Sequence, residues 1–244
     1  MGILKYHDFI LESREEYNKK YCNNPIYNTP LTPVPFNTLF EHLKNLNDKV
    51  GYKKTIESIN KGEAVIIAIR SKIDLRSKYP EQYVDKIFFV PKGAVDKNPS
   101  ITPYQATTVP SVAYYDTNVA ILDDGEYKFG LGKHTFTKSK KTIDALVPID
   151  MSDKKIEVKR YSEKDNAVQT FDPPKEDIGS GTNFHYGLVP QGATSKGGLI
   201  PCVGGYSAGC QVIPTQEQWN KFWGEVKSAN QKEFMYSIIE EDKI

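Results

Sequence analysis

Residues 63–161 break into short apolar runs separated by glycine, proline and Asp-Gly, a pattern that confines most of the chain to β-structure. "EAVIIAIRS" (63–71) and "YVDKIFFVPKG" (83–93) each contain a continuous apolar run of strand length. "SVAYY" (111–115), "NVAILDDGEYKFG" (118–130), "TIDALVPI" (142–149) and "KIEVKRYS" (155–162) follow as shorter pieces. Many short strands with such punctuation predict a mostly β core, and the Asp123-Asp124-Gly125 step reads as a hairpin turn.

The two ends have helical period. Tyr6, Phe9, Ile10 and Tyr17 predict an amphipathic helix within 5–21, and Phe36, Leu39, Phe40, Leu43 and Leu46 predict another. Between them Pro25, Pro30, Pro33 and Pro35 forbid helix and predict an extended linker or a strap over a surface. Near the other end Thr215 and Gln218 have capping-box spacing, and Trp219, Phe222, Trp223 and Val226 form one stripe. The expected organisation is a helical, proline-rich extension over 1–60 and a β-rich domain with a C-terminal helix over 61–244.

The chain has 244 residues, enough for a sizeable core, and its 32 basic residues nearly balance its 31 acidic ones. That balance gives no electrostatic case for nucleic acid or for an anionic membrane surface. No apolar run reaches the length of a membrane span, and the first residues lack the apolar segment of a secretory signal. Cys22, Cys202 and Cys210 make no disulfide framework, although a Cys202–Cys210 bridge stays open. Their spacing matches no common zinc pattern, so neither metal nor cofactor is expected.

"GGYSAGCQVIP" (204–214) places Cys210 after three small residues, Ser207, Ala208 and Gly209. Small neighbours suit a tight turn, and they also allow a close backbone approach to a reacting atom. "GTNFHYG" (181–187) offers His185, 25 residues upstream of Cys210 in a predicted short strand. A thiol is a poor nucleophile while protonated, and an imidazole within reach can take that proton.

"FHYG" followed by "YSAGCQVIP" resembles the signature of the L,D-transpeptidase catalytic (YkuD-like) domain, closest to its phage-borne branch. "AIRS" (68–71), "YQATTVPS" (104–111), "DGEYKFGLGKH" (124–134) and the final Trp-rich helix extend the resemblance over roughly 62–226. The resemblance implies a β-rich fold and a cysteine peptidase or transpeptidase working on peptidoglycan stem peptides. Cys210 would be the nucleophile and His185 its base, Gly209 would contribute an oxyanion-binding N–H, and Ser207 would orient His185. Gln211, His134, Gly187 and Arg160 would line the substrate cleft, and Arg70 could clamp a carboxylate. Ala208 stands where the family commonly has histidine, and Tyr161 follows Arg160 where the phage branch usually has aspartate.

"ILKYHDFILES" (3–13) resembles the start of structural proteins of large tailed phages, and Ile10-Leu11-Glu12 resembles a prohead-protease signal. Both imply a virion or host-cytoplasmic setting, with peptidoglycan peptides and other virion proteins as partners. Cleavage is expected rather than cross-linking. The alternative is a virion structural protein that retains the fold without turnover.

Overall fold

The computed structural model describes residues 31–71, 83, 85–109, 119–136, 140–149, 156–161, 177–179, 182–187, 207 and 209–241. The structure is mostly β, with helices before the first strand of the main sheet and one near the C-terminus, as the sequence predicts. The predicted helix over 5–21, the "SVAYY" run and Cys202 lie outside these residues.

Eight strands build the main sheet. They are β2 (Val65–Arg70), β3 (Asp85–Val90), β5 (Tyr104–Ala106), β7 (Gly125–Thr135), β8 (Thr142–Pro148), β11 (Phe184–Tyr186), β12 (Gln211–Ile213) and β13 (Glu233–Glu240). Their spatial order is β12-β11-β8-β7-β13-β2-β3-β5. Pairing is antiparallel except for β11 with β12 and β13 with β2. Thr107, just past β5, bridges Val212 of β12 through two reciprocal N–H···O bonds of 2.9 Å. The sheet therefore returns on itself, with a seam two residues beyond Cys210. A second sheet, β10-β9-β6, is formed by β6 (Val119–Leu122), β9 (Ile156–Tyr161) and β10 (Asp177–Gly179), and a small ladder pairs β1 (Val34–Pro35) with β4 (Ser100–Ile101).

The apolar run of β2 is continuous because both of its faces are covered. Ile66 and Ala68 face the last helix, α4 (Gln216–Ser228), within a core that holds Phe184, Trp219, Phe222, Val226, Phe234 and Tyr236. Val65 and Ile67 face the opposite way, into a second core with Phe36, Leu39, Leu43, Tyr52 and Ile59. Those residues come from α1 (Phe36–Val50), Tyr52 and α2 (Lys53–Asn60); a short α3 (Ala94–Lys97) adds Ala94. The Tyr52 hydroxyl also donates to the Ile238 carbonyl at 2.9 Å, and the Thr55 and Ser237 hydroxyls meet at 2.6 Å. The division expected at residue 60 thus falls inside one packed body, because the α1 stripe is buried on the sheet.

One further expectation is corrected. The Asp-Gly step at 124–125 makes no hairpin, since β6 pairs with β9 while β7 pairs with β13 and β8. Arg70 fixes the divergence: its guanidinium donates to the Leu122 carbonyl at 2.7 Å and to Thr108 Oγ1 at 2.9 Å. The expected C-terminal helix is present as α4, and a further strand follows it. Thr215 caps α4 by accepting the Gln218 N–H at 3.1 Å, and the chain then turns back as β13 between β7 and β2.

Candidate active site

Three strands converge on the candidate site. β11 carries His185, the end of β7 carries His134, and Cys210 stands immediately before β12. Parallel pairing of Phe184 with Gln211 and His185 with Val212 brings the two signature segments side by side. One donor atom from each of Cys210, His185 and His134 lies within 4.8 Å of the other two. The predicted Cys–His juxtaposition is therefore present, with His134 as a third member.

The backbone leading into Cys210 explains its small residues. Gly209 has φ of +134°, a conformation that residues with a Cβ rarely adopt. The Ser207 hydroxyl donates to the Cys210 carbonyl at 2.7 Å and accepts the Gly209 N–H at 3.3 Å. Ser207 thus clasps the turn that presents the cysteine, a different task from the expected orientation of His185. The Gly209 N–H expected to stabilise an oxyanion is directed at this hydroxyl.

His185 is fully buried. A carbonyl only accepts, so the 2.8 Å contact from Nδ1 to the Tyr186 carbonyl places the proton on Nδ1. Nε2 is left with its lone pair and has no hydrogen-bond partner among the described residues. That is the tautomer a base requires. His134 stacks on this ring with centroids 4.2 Å apart and planes inclined by 14°. Phe136 meets both imidazoles edge-on. The Asn183 side-chain amide donates to His134 Nδ1 at 2.9 Å, and the Asn183 carbonyl accepts the Gln211 N–H at 2.9 Å. Asn183 ties the site together, and nothing in the "GTNFHYG" segment marks it, because its role depends on partners at 134 and 211.

Burial governs the electrostatics. It pushes the Cys210 thiol up to about 12, against the pull of the Asn183 backbone N–H. Burial, aided by His134, holds His185 down at about 3 against the Tyr186 hydrogen bond, and burial also lowers His134. The resting pair is neutral thiol and neutral imidazole rather than thiolate and imidazolium. Such a pair passes its proton only as the sulfur attacks.

The other candidates sit differently. Gln211 is buried, accepts the Tyr236 hydroxyl at 2.9 Å and donates to the Gly209 carbonyl at 3.4 Å. It braces the cysteine turn instead of facing substrate. The Gly187 N–H donates to the Ile213 carbonyl at 2.9 Å and extends the β11–β12 pairing. Arg70 is committed to Thr108, Leu122 and, at 3.8 Å, Glu240. Arg160 is paired with Ala120 through its backbone; its side chain lies outside the described residues.

The buried imidazole gives an acid-stability prediction. Unfolded histidine takes up a proton near pH 6.5, whereas folded His185 does so only near 3. Between those values the unfolded state binds more protons, so stability falls as pH falls, by up to about 1.4 kcal/mol per pH unit. Asp85 and Glu225, whose carboxyls burial pushes up, act with the opposite sign in the acidic range. Both are shared with His185→Gln, so the difference between the two denaturation profiles isolates His185. The variant's profile should be flatter from pH 6.5 down to 3; parallel profiles would contradict the assignment.

No family model, no curated protein and no solved structure matches this chain. Among the described residues, no helix is long and apolar enough to cross a membrane.

Proposed function

We propose that this protein is a phage-encoded, L,D-transpeptidase-like cysteine enzyme that cleaves peptidoglycan stem peptides through an acyl-enzyme on Cys210. The observation that carries the reading is the approach of Cys210 to His185, whose only nitrogen without a partner is a proton acceptor. Cys210 Sγ attacks the substrate carbonyl while its proton passes to His185 Nε2. The resulting imidazolium returns that proton to the leaving amine, and water then releases the acyl group. The substrate class rests on the resemblance around "FHYG" and "SAGC".

Incubation of peptidoglycan with the whole protein, followed by mass spectrometry of the muropeptides, tests this. The expected products are stem peptides shortened at a bond next to a diamino acid or D-amino acid. An unchanged muropeptide profile, together with no covalent adduct from a carbapenem, would overturn it. A second reading, a virion structural protein that keeps the fold without turnover, is favoured by one feature. Cys210 is only 7% exposed, with its thiol pushed far up by burial.

A further inference from the structure

The site holds more ligating power than a thiol–imidazole pair needs. His134 brings a second imidazole, and the donor atoms of all three side chains lie within 4.8 Å of one another. Independently, fully buried His185 presents an Nε2 lone pair with no hydrogen-bond partner among the described residues. An unsatisfied buried acceptor is costly, and a ligand at that position removes the cost. Its partner must accept a lone pair from nitrogen and from sulfur. One thiolate and two imidazoles are a borderline-soft donor set, suited to zinc.

We propose that Cys210, His134 and His185 form a three-ligand zinc site, with a fourth position left for water. The thiol gives up its proton to the buffer as the Zn–S bond forms, and both imidazoles bind as neutral donors. The second shell is in place for His185, whose Nδ1–H is held by the Tyr186 carbonyl so that Nε2 is the ligating atom. At His134 the Asn183 amide must turn its oxygen toward Nδ1, which moves the imidazole proton to Nδ1 and frees Nε2 to ligate. Zn–S of about 2.3 Å and Zn–N of about 2.0–2.1 Å require the donors to draw together by roughly 1 Å. His134 must also tilt off the face of His185, since stacked rings aim their lone pairs in parallel. As the half-buried member near the end of β7, His134 is the one that can move.

Zinc at this position occupies both the sulfur and the base, so the metal-bound form is a dormant state of the proposed enzyme. The sequence conceals the site because its ligands lie at 134, 185 and 210, far from any close Cys/His spacing.

The whole metal-free chain titrated with zinc against a chromophoric chelator should bind one ion. His134→Phe, which keeps an aromatic ring on His185, and Cys210→Ser should each weaken binding at least thirtyfold. Cobalt(II) should give a thiolate charge-transfer band that Cys210→Ser abolishes, and zinc should slow Cys210 alkylation at least tenfold. Unaltered zinc affinity in both variants, or a cobalt spectrum without the thiolate band, overturns the site. Acylation by a carbapenem in chelator separates the two proposals. Acylation without zinc binding removes only the zinc site, whereas zinc binding without acylation removes only the enzyme reading.

Discussion

A chain beginning at residue 61 should be insoluble, or should melt far below the whole protein. It lacks α1, Tyr52 and α2, whose Phe36, Leu39, Leu43, Tyr52 and Ile59 are each no more than 3% exposed. Fully burying one such side chain contributes about 1.5–3 kcal/mol, so together they rival the about 5–15 kcal/mol that keeps an ordinary domain folded. The loss is twofold, because Val65, Ile67, Phe88, Val90 and Ile239 on the sheet would become an open apolar face. Soluble yield and melting temperature of the two chains measure the effect. Leu43→Ala in the whole chain supplies a graded version, with an expected cost of about 2–5 kcal/mol. A soluble truncated chain with an unchanged melting temperature would mean that this face needs no cover.

Cys210→Ala should abolish both peptide cleavage and carbapenem acylation while the protein stays folded. The substitution removes one sulfur from a small cluster with Tyr83 and Val212, so the stability lost should be about 1 kcal/mol. The Gly209 turn and the Ser207 clasp involve backbone and hydroxyl atoms that alanine leaves intact. Activity retained in the folded variant would remove Cys210 from the chemistry. Alkylation rates report the resting state of the same thiol. With its value raised to about 12, the rate should climb about tenfold per pH unit from 7 to 10 with no plateau. A plateau near 8.5 would indicate an ordinary exposed thiol instead.

Local pattern made β2, β3, β8 and β11 legible, and the stripes of α1 and α4 with the Thr215 cap were equally clear. Pairing was less legible. Asp-Gly at 124–125 carries a hairpin signal, but Arg70 captures the Leu122 carbonyl from a strand more than fifty residues away. No window around the turn contains that interaction. Strand β13 is not legible although Phe234–Ile239 is almost continuously apolar, because it follows a helical stripe closely and a short apolar run fits either helix or strand. At the site, the wording around Cys210 and His185 was informative because their strands are direct neighbours. The resemblance implies a cleft-lining Gln211, yet the buried Tyr236 hydroxyl claims it. Such a partner emerges only from packing.

The Thr107–Val212 seam has a consequence for how a peptide can be held. An open sheet offers its outer strand as a template, and an extended peptide can lie along it through main-chain bonds. Here the backbone groups of Val212 are already spent on Thr107, on the strand that leads directly from Cys210. Under the proposed function, a stem peptide could not become the next strand at that position. It would have to present its carbonyl to Cys210 without main-chain pairing at Val212. Recognition of that kind favours short, chemically distinctive ends over long extended sequences.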